Sequence, residues 1–128
     1  MSIALATKLE ASFDDAVART RKALADQGFG VLTEIDVKAT MKNKLDEDME
    51  NYLILGACNP GMAFEALKLE PGVGAMLPCN VIVREAEDGT VEVSAVDPVA
   101  SMQAIDNEAL LEVAAKVRIL LSQAVATL

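Results

Sequence analysis

An α+β domain, built on a curved, largely antiparallel sheet of four or five strands with helices packed on one side, is the fold class this chain predicts. Three observations carry it. Short apolar runs of strand length alternate with amphipathic stretches of helical period. Glu87-Asp88-Gly89 separates two alternating runs and reads as a hairpin loop. The chain of 128 residues is 52% hydrophobic, enough for a substantial core at the commonest domain size. The expected order is strand, helix, strand, short helix, strand, helix, two hairpin strands and helix, as one domain over residues 1–128.

Residues 2 to 10 predict the first strand. Ser12 then opens a helix over 13 to 27, with Asp15 as a variant capping-box partner and Asp14 and Asp15 suited to the positive helix end. Phe13, Val17, Thr20 and Leu24 share one stripe, and Gly28 is a natural stop. Gly30 to Asp36 follows as a strand, and Asp36 can cap a short helix from Val37 to about Leu45. The polar stretch Asp46 to Asn51 predicts a loop.

Tyr52 to Cys58 is a continuous apolar run, which suggests a central strand buried on both faces. Asn59 followed by Pro60 starts a helix, because Asn is a favoured cap and proline needs no N–H partner at the first position. That helix carries Met62, Ala63, Ala66 and Leu67 and ends near Glu70-Pro71-Gly72.

The hairpin register can be argued. A two-residue loop would set Glu85 against Glu92, whereas a three-residue loop with Gly89 left-handed pairs Arg84 with Glu92 and Val83 with Val93. The second register collects Val81, Val83, Val91, Val93 and Ala95 on one face. It also sets Cys79 opposite Asp97. Asp97-Pro98 ends the strand and a short turn or helix carries Val99 to Ala104. Asn107 caps a last helix whose stripe of Leu110, Ala114, Val117, Leu121, Ala124 and Leu128 is widened by Leu111, Val113, Leu120 and Val125. Such a width suits packing on a sheet and on a second subunit.

Net charge −9 repels phosphate backbones, so nucleic acid and anionic membrane are not expected partners. Aromatic residues are 3% and tryptophan is absent, which removes base-stacking platforms. The first residues lack a basic segment and a long apolar core, and no run reaches the roughly 18 apolar residues of a membrane span. A cytoplasmic location with reduced cysteines is the expectation.

The chain has no histidine and two cysteines, Cys58 and Cys79, each followed by asparagine. Cys58 is expected at a strand end just before a helix N-terminus, where backbone N–H groups favour a thiolate. A buried, inert apolar residue explains it as well. The two cysteines lie too far apart for a Cys-x-x-Cys motif, and without histidine two thiols fall short of a zinc site. No metal and no cofactor are expected. A neighbouring Asp97 would raise the Cys79 pKa. Asn59 reads as a cap. Asn80 either bonds local backbone or, with Asp97, lines a polar pocket. Glu34 with Asp36, and the Asp46-Glu47-Asp48-Glu50 run, read as solvated surface, the latter lacking the spacing of a calcium loop.

Four strings, Gly28-Phe29-Gly30-Val31-Leu32-Thr33-Glu34-Ile35-Asp36, Leu55-Gly56-Ala57-Cys58-Asn59-Pro60, Leu77-Pro78-Cys79-Asn80-Val81 and Val93-Ser94-Ala95-Val96-Asp97-Pro98, together resemble the "domain of unknown function 302" family. The resemblance covers nearly the whole chain in the same order. It implies a fold like the TATA-box-binding protein repeat, a curved antiparallel sheet carrying helices, often found as a dimer. It brings no reaction, substrate or catalytic residue, and a shared fold is no argument for DNA binding.

The expectation is therefore a cytoplasmic, homodimeric, non-enzymatic domain that binds a small ligand or a protein partner. Its candidate ligand-binding residues are Cys58, Asn59, Cys79, Asn80 and Asp97. The rival is a thiol-based enzyme or redox sensor using Cys58, with Cys79 as resolving partner. A third reading is a purely structural partner domain associating through the last helix.

Overall fold

The computed structural model describes residues 4–128. The start of the first expected strand, at residues 2 and 3, lies outside them. The elements are β1 (Ala4–Leu9), α1 (Phe13–Asp26), β2 (Gly30–Asp36), α2 (Val37–Leu45), β3 (Tyr52–Cys58), α3 (Pro60–Leu69), a 3-10 turn (Pro71–Met76), β4 (Cys79–Glu85), β5 (Val91–Val96), α4 (Pro98–Met102) and α5 (Glu108–Ala126).

Each of these α-helices starts on a side-chain cap. Ser12 accepts from the Asp15 N–H at 3.1 Å, Asp36 from Ala39 at 2.9 Å, Asn59 from Met62 at 3.2 Å, Asp97 from Val99 at 3.0 Å and Asn107 from Leu110 at 3.0 Å. A cap of this kind contributes about 1 kcal/mol by satisfying an N–H that has no partner within the helix.

The five strands form one antiparallel sheet in the order β1-β5-β4-β3-β2, with helices packed on one side. In the hairpin Val83 pairs with Val93 and Arg84 with Glu92, and the guanidinium reaches the Glu92 carboxylate at 3.2 Å. Gly89 takes the left-handed conformation (φ 83°), so the three-residue loop is the one formed. This register turns Leu53, Leu55, Ala57, Cys79, Val81, Val83, Val91, Val93 and Ala95 to the helix-covered face, where all are buried.

β3 departs from the sequence expectation of burial on both faces. Leu53, Leu55 and Ala57 are buried, while Tyr52 and Ile54 on alternate positions are half-buried. The reason is that, among the described residues, no helix covers the second face. Gly56 is the exception there. A Cβ at this position would lie 2.1 Å from Thr33 Oγ1 and 2.7 Å from Pro78 Cγ. The register of β2 on β3 slips between Val31 and Thr33, and Leu32 at this irregularity is 67% exposed.

Two cores result. The larger lies between the sheet, α1 and the C-terminal half of α5 (Leu121, Ala124). The smaller joins α3, the 3-10 turn, α4 and the N-terminal half of α5 through Ala66, Val73, Met102, Leu110, Val113 and Ala114. The extra width of the α5 stripe is used within the chain: Leu111 packs against the smaller core, Leu120 and Val125 against the larger. Among the described residues no helix is long and apolar enough to cross a membrane.

Candidate functional site

Where the two cores meet, the side chains leave a narrow cavity. Phe29, Ala57 and Cys79 of the larger core form one side, and Met62, Leu77 and Met102 belong to the other. Cys58 and Asn59 complete the wall at the junction of β3 and α3. The centre of a water-sized sphere can occupy about 30 Å³ of it. That is room for about two waters or one ion, since one such sphere needs roughly 10–15 Å³.

Cys79 begins β4 opposite Ala57, on the buried face, and is 7% exposed. Burial pushes its thiol up to about 11, with a smaller contribution from the charge of Cys58. Cys58 is half-buried, and both cysteines are free thiols. Asn59 acts as the expected cap of α3.

The other two expected pocket residues stand elsewhere. Asn80 alternates to the opposite face of β4 and is exposed; it lines a separate, roomier recess of about 180 Å³ with Met76, Val96 and Ser101. Leu77 and Pro78 border both spaces, so the Pro78-Cys79-Asn80 string forms a partition with the thiol on one side and the amide on the other. Asp97 keeps its position after β5, but its side chain turns to its own helix. It accepts from Val99 at 3.0 Å and Ala100 at 3.3 Å, and its other oxygen meets Arg118 Nε at 2.9 Å. Burial works against its ionised form, and the Arg118 bond with the two backbone N–H groups outweighs this, so its carboxyl lies below the ordinary value. The raised Cys79 pKa comes from burial and Cys58, not from Asp97 as its register position suggests.

The remaining carboxylates take plain surface roles. Glu34 pairs with Arg21 at 2.5 Å, and Lys42 bridges Asp46 at 3.0 Å and Asp48 at 3.1 Å. Among the described residues no group of three or more histidine, cysteine, aspartate or glutamate side chains could hold a metal ion. Sequence reasoning placed Met62 on α3 without assigning it a site, and it missed Met102, Leu77 and Phe29 as cavity walls. One signal was available for Met62: it follows Cys58 by four positions across a capped helix start.

None of the curated proteins matches the chain. Among solved structures, the crystal structure of uncharacterized conserved protein DUF302 from Bacillus stearothermophilus is similar over 98% of both chains, with 25% identity and a TM-score of 0.92. The family described as "Domain of unknown function DUF302" matches residues 5–128. With that extent of match and a solved relative of the same architecture, the chain belongs to the DUF302 family.

Proposed function

We propose that this chain is a non-enzymatic, cytoplasmic binding domain whose ligand site is the seam bounded by Cys58, Asn59 and Cys79. The observation that carries this reading is the convergence of both cysteines on one otherwise apolar cavity with no acid–base pair facing it. Apolar walls with few polar groups are the common chemistry of a ligand site, here at a scale that takes an ion or a very small molecule. The competing thiol-enzyme reading finds no support in its resolving partner Cys79, whose thiol burial pushes up to about 11.

Homodimerisation is part of the proposal. The helix-free sheet face carries Ile35, 49% exposed, beside half-buried Ile54 and Ile82, an apolar strip of the kind that marks an interface. A likeness to the TATA-box-binding protein repeat, which the family resemblance implies, would support no DNA-binding role, given the net charge of −9.

A thermal-shift screen of small metabolites against the wild type and Ala63→Leu, which fills the cavity wall, tests the site. Compounds that raise the wild-type melting temperature and leave the filled variant unmoved support it. An empty screen, with the cavity side chains closed on one another in a crystal structure, removes it. Sedimentation of the wild type and Ile82→Lys at several concentrations tests the dimer, and a monomeric wild type refutes it.

A further inference from the structure

Four sulfur-bearing residues from four different elements are among those that line the seam. Cys58 ends β3, Met62 lies in the first turn of α3, Cys79 begins β4 and Met102 ends α4. They are both of the chain's cysteines and two of its six methionines. Among the described residues no charged side chain lines the cavity, and the one side-chain amide there, Asn59, already accepts from the Met62 N–H through its oxygen.

This donor set selects by chemistry. Magnesium and calcium need oxygen ligands, which the wall does not offer. Zinc prefers a closed set of thiolate, imidazole or carboxylate ligands, and the chain has no histidine. Thiolate and thioether together are soft donors, the preference of monovalent copper. The space agrees, because about 30 Å³ takes an ion more readily than an extended organic molecule. We infer that the seam binds one soft monovalent cation of the Cu(I) class on the sulfurs of Cys58, Cys79, Met62 and Met102.

The inference rests on the seam being the ligand site and names the class of ligand. Binding involves no change of oxidation state. Each coordinating cysteine loses its S–H bond and gains an S–Cu bond, and the proton leaves to solvent. The two thioethers donate lone pairs and release nothing.

The test is transfer of Cu(I) from a chromophoric chelator to the full chain without oxygen, with Ag(I) as a redox-inert parallel. The expected result is one ion per chain, with thiolate-to-copper absorption in the ultraviolet. Cys79→Ser is expected to weaken binding at least about a hundredfold, and Met102→Leu about tenfold. Met102→Leu keeps size and apolar character, so it reads the site even if the cysteine variant fails to fold. Retention of all Cu(I) by the chelator overturns the inference, as does undiminished binding by Cys79→Ser and Met102→Leu. If Cu(I) is refused while metabolites still shift the wild type and not Ala63→Leu, the soft-cation site falls and the ligand seam stands. If both fail, both readings fall.

Discussion

Gly56→Ala is the substitution whose outcome the structure fixes most tightly. The added methyl would sit 2.1 Å from Thr33 Oγ1 and 2.7 Å from Pro78 Cγ, both well inside contact distance. The threonine hydroxyl can rotate away, but the proline ring is held by its own backbone. Overpacking of this kind costs about 1–3 kcal/mol, and a clash with two partners belongs at the upper end. Replacing glycine by alanine in a strand returns about 0.5–1 kcal/mol of chain entropy. The net expectation is a loss of about 2 kcal/mol, read as a fall of roughly 1 M in the urea midpoint with an unchanged slope. Thr33→Ala combined with Gly56→Ala removes the hydroxyl but not the proline contact, so it should recover only part of the loss. A single variant within about 0.5 kcal/mol of wild type, or a double variant with no recovery, would refute the reasoning, since distant independent sites add within that margin.

Three further outcomes are expected. Asn59→Ala removes the α3 cap and should cost about 1 kcal/mol in urea unfolding while speeding alkylation of Cys58; an unchanged midpoint speaks against the cap's role. Cys79, buried and with its thiol pushed up to about 11, should resist iodoacetamide at pH 7.5 until the protein is denatured, and prompt native labelling mapped to Cys79 by mass spectrometry contradicts this. Asp97 has a folded pKa below its ordinary 3.8, so its stabilising effect is full above that value and is lost as pH falls through the lower folded one. The stability difference between wild type and Asp97→Asn should therefore shrink on acidification from pH 5 towards pH 2, and a constant difference across that range sinks the assignment.

Most of the architecture was legible because its signals are local. The caps at Ser12, Asp36, Asn59 and Asn107, and the Gly89 loop, act within a few residues of where they stand. The hairpin register followed from cross-strand charge and alternation, and it holds residue for residue. The site was less legible. Continuing the hairpin register two residues past its last pair, Val81 with Ala95, sets Asp97 opposite Cys79, but register fixes a backbone position, and the donors of α4 and Arg118 decide where the carboxylate points. Asn80 follows Cys79 directly, and strand alternation therefore sends it to the other face. The apolar run of β3 looked doubly buried because a run of this kind does not tell which face the helices cover. Met102 joins the cavity only through the packing of α4 on α5, which no local spacing announces.

The division into two cores has a consequence for how anything reaches the seam. The smaller core has six buried members among the described residues, against sixteen in the larger, and they meet the rest of the molecule mainly through α5. Protection of backbone amides from hydrogen exchange should therefore be graded. The layer of α3, the 3-10 turn and α4 is positioned to open as a cooperative unit while the sheet and α1 stay closed. Such an opening would part the wall that Met62 and Met102 supply and leave the wall at Cys79 in place. Entry then needs no permanent channel: the rate of ligand uptake is set by the stability of the lesser core.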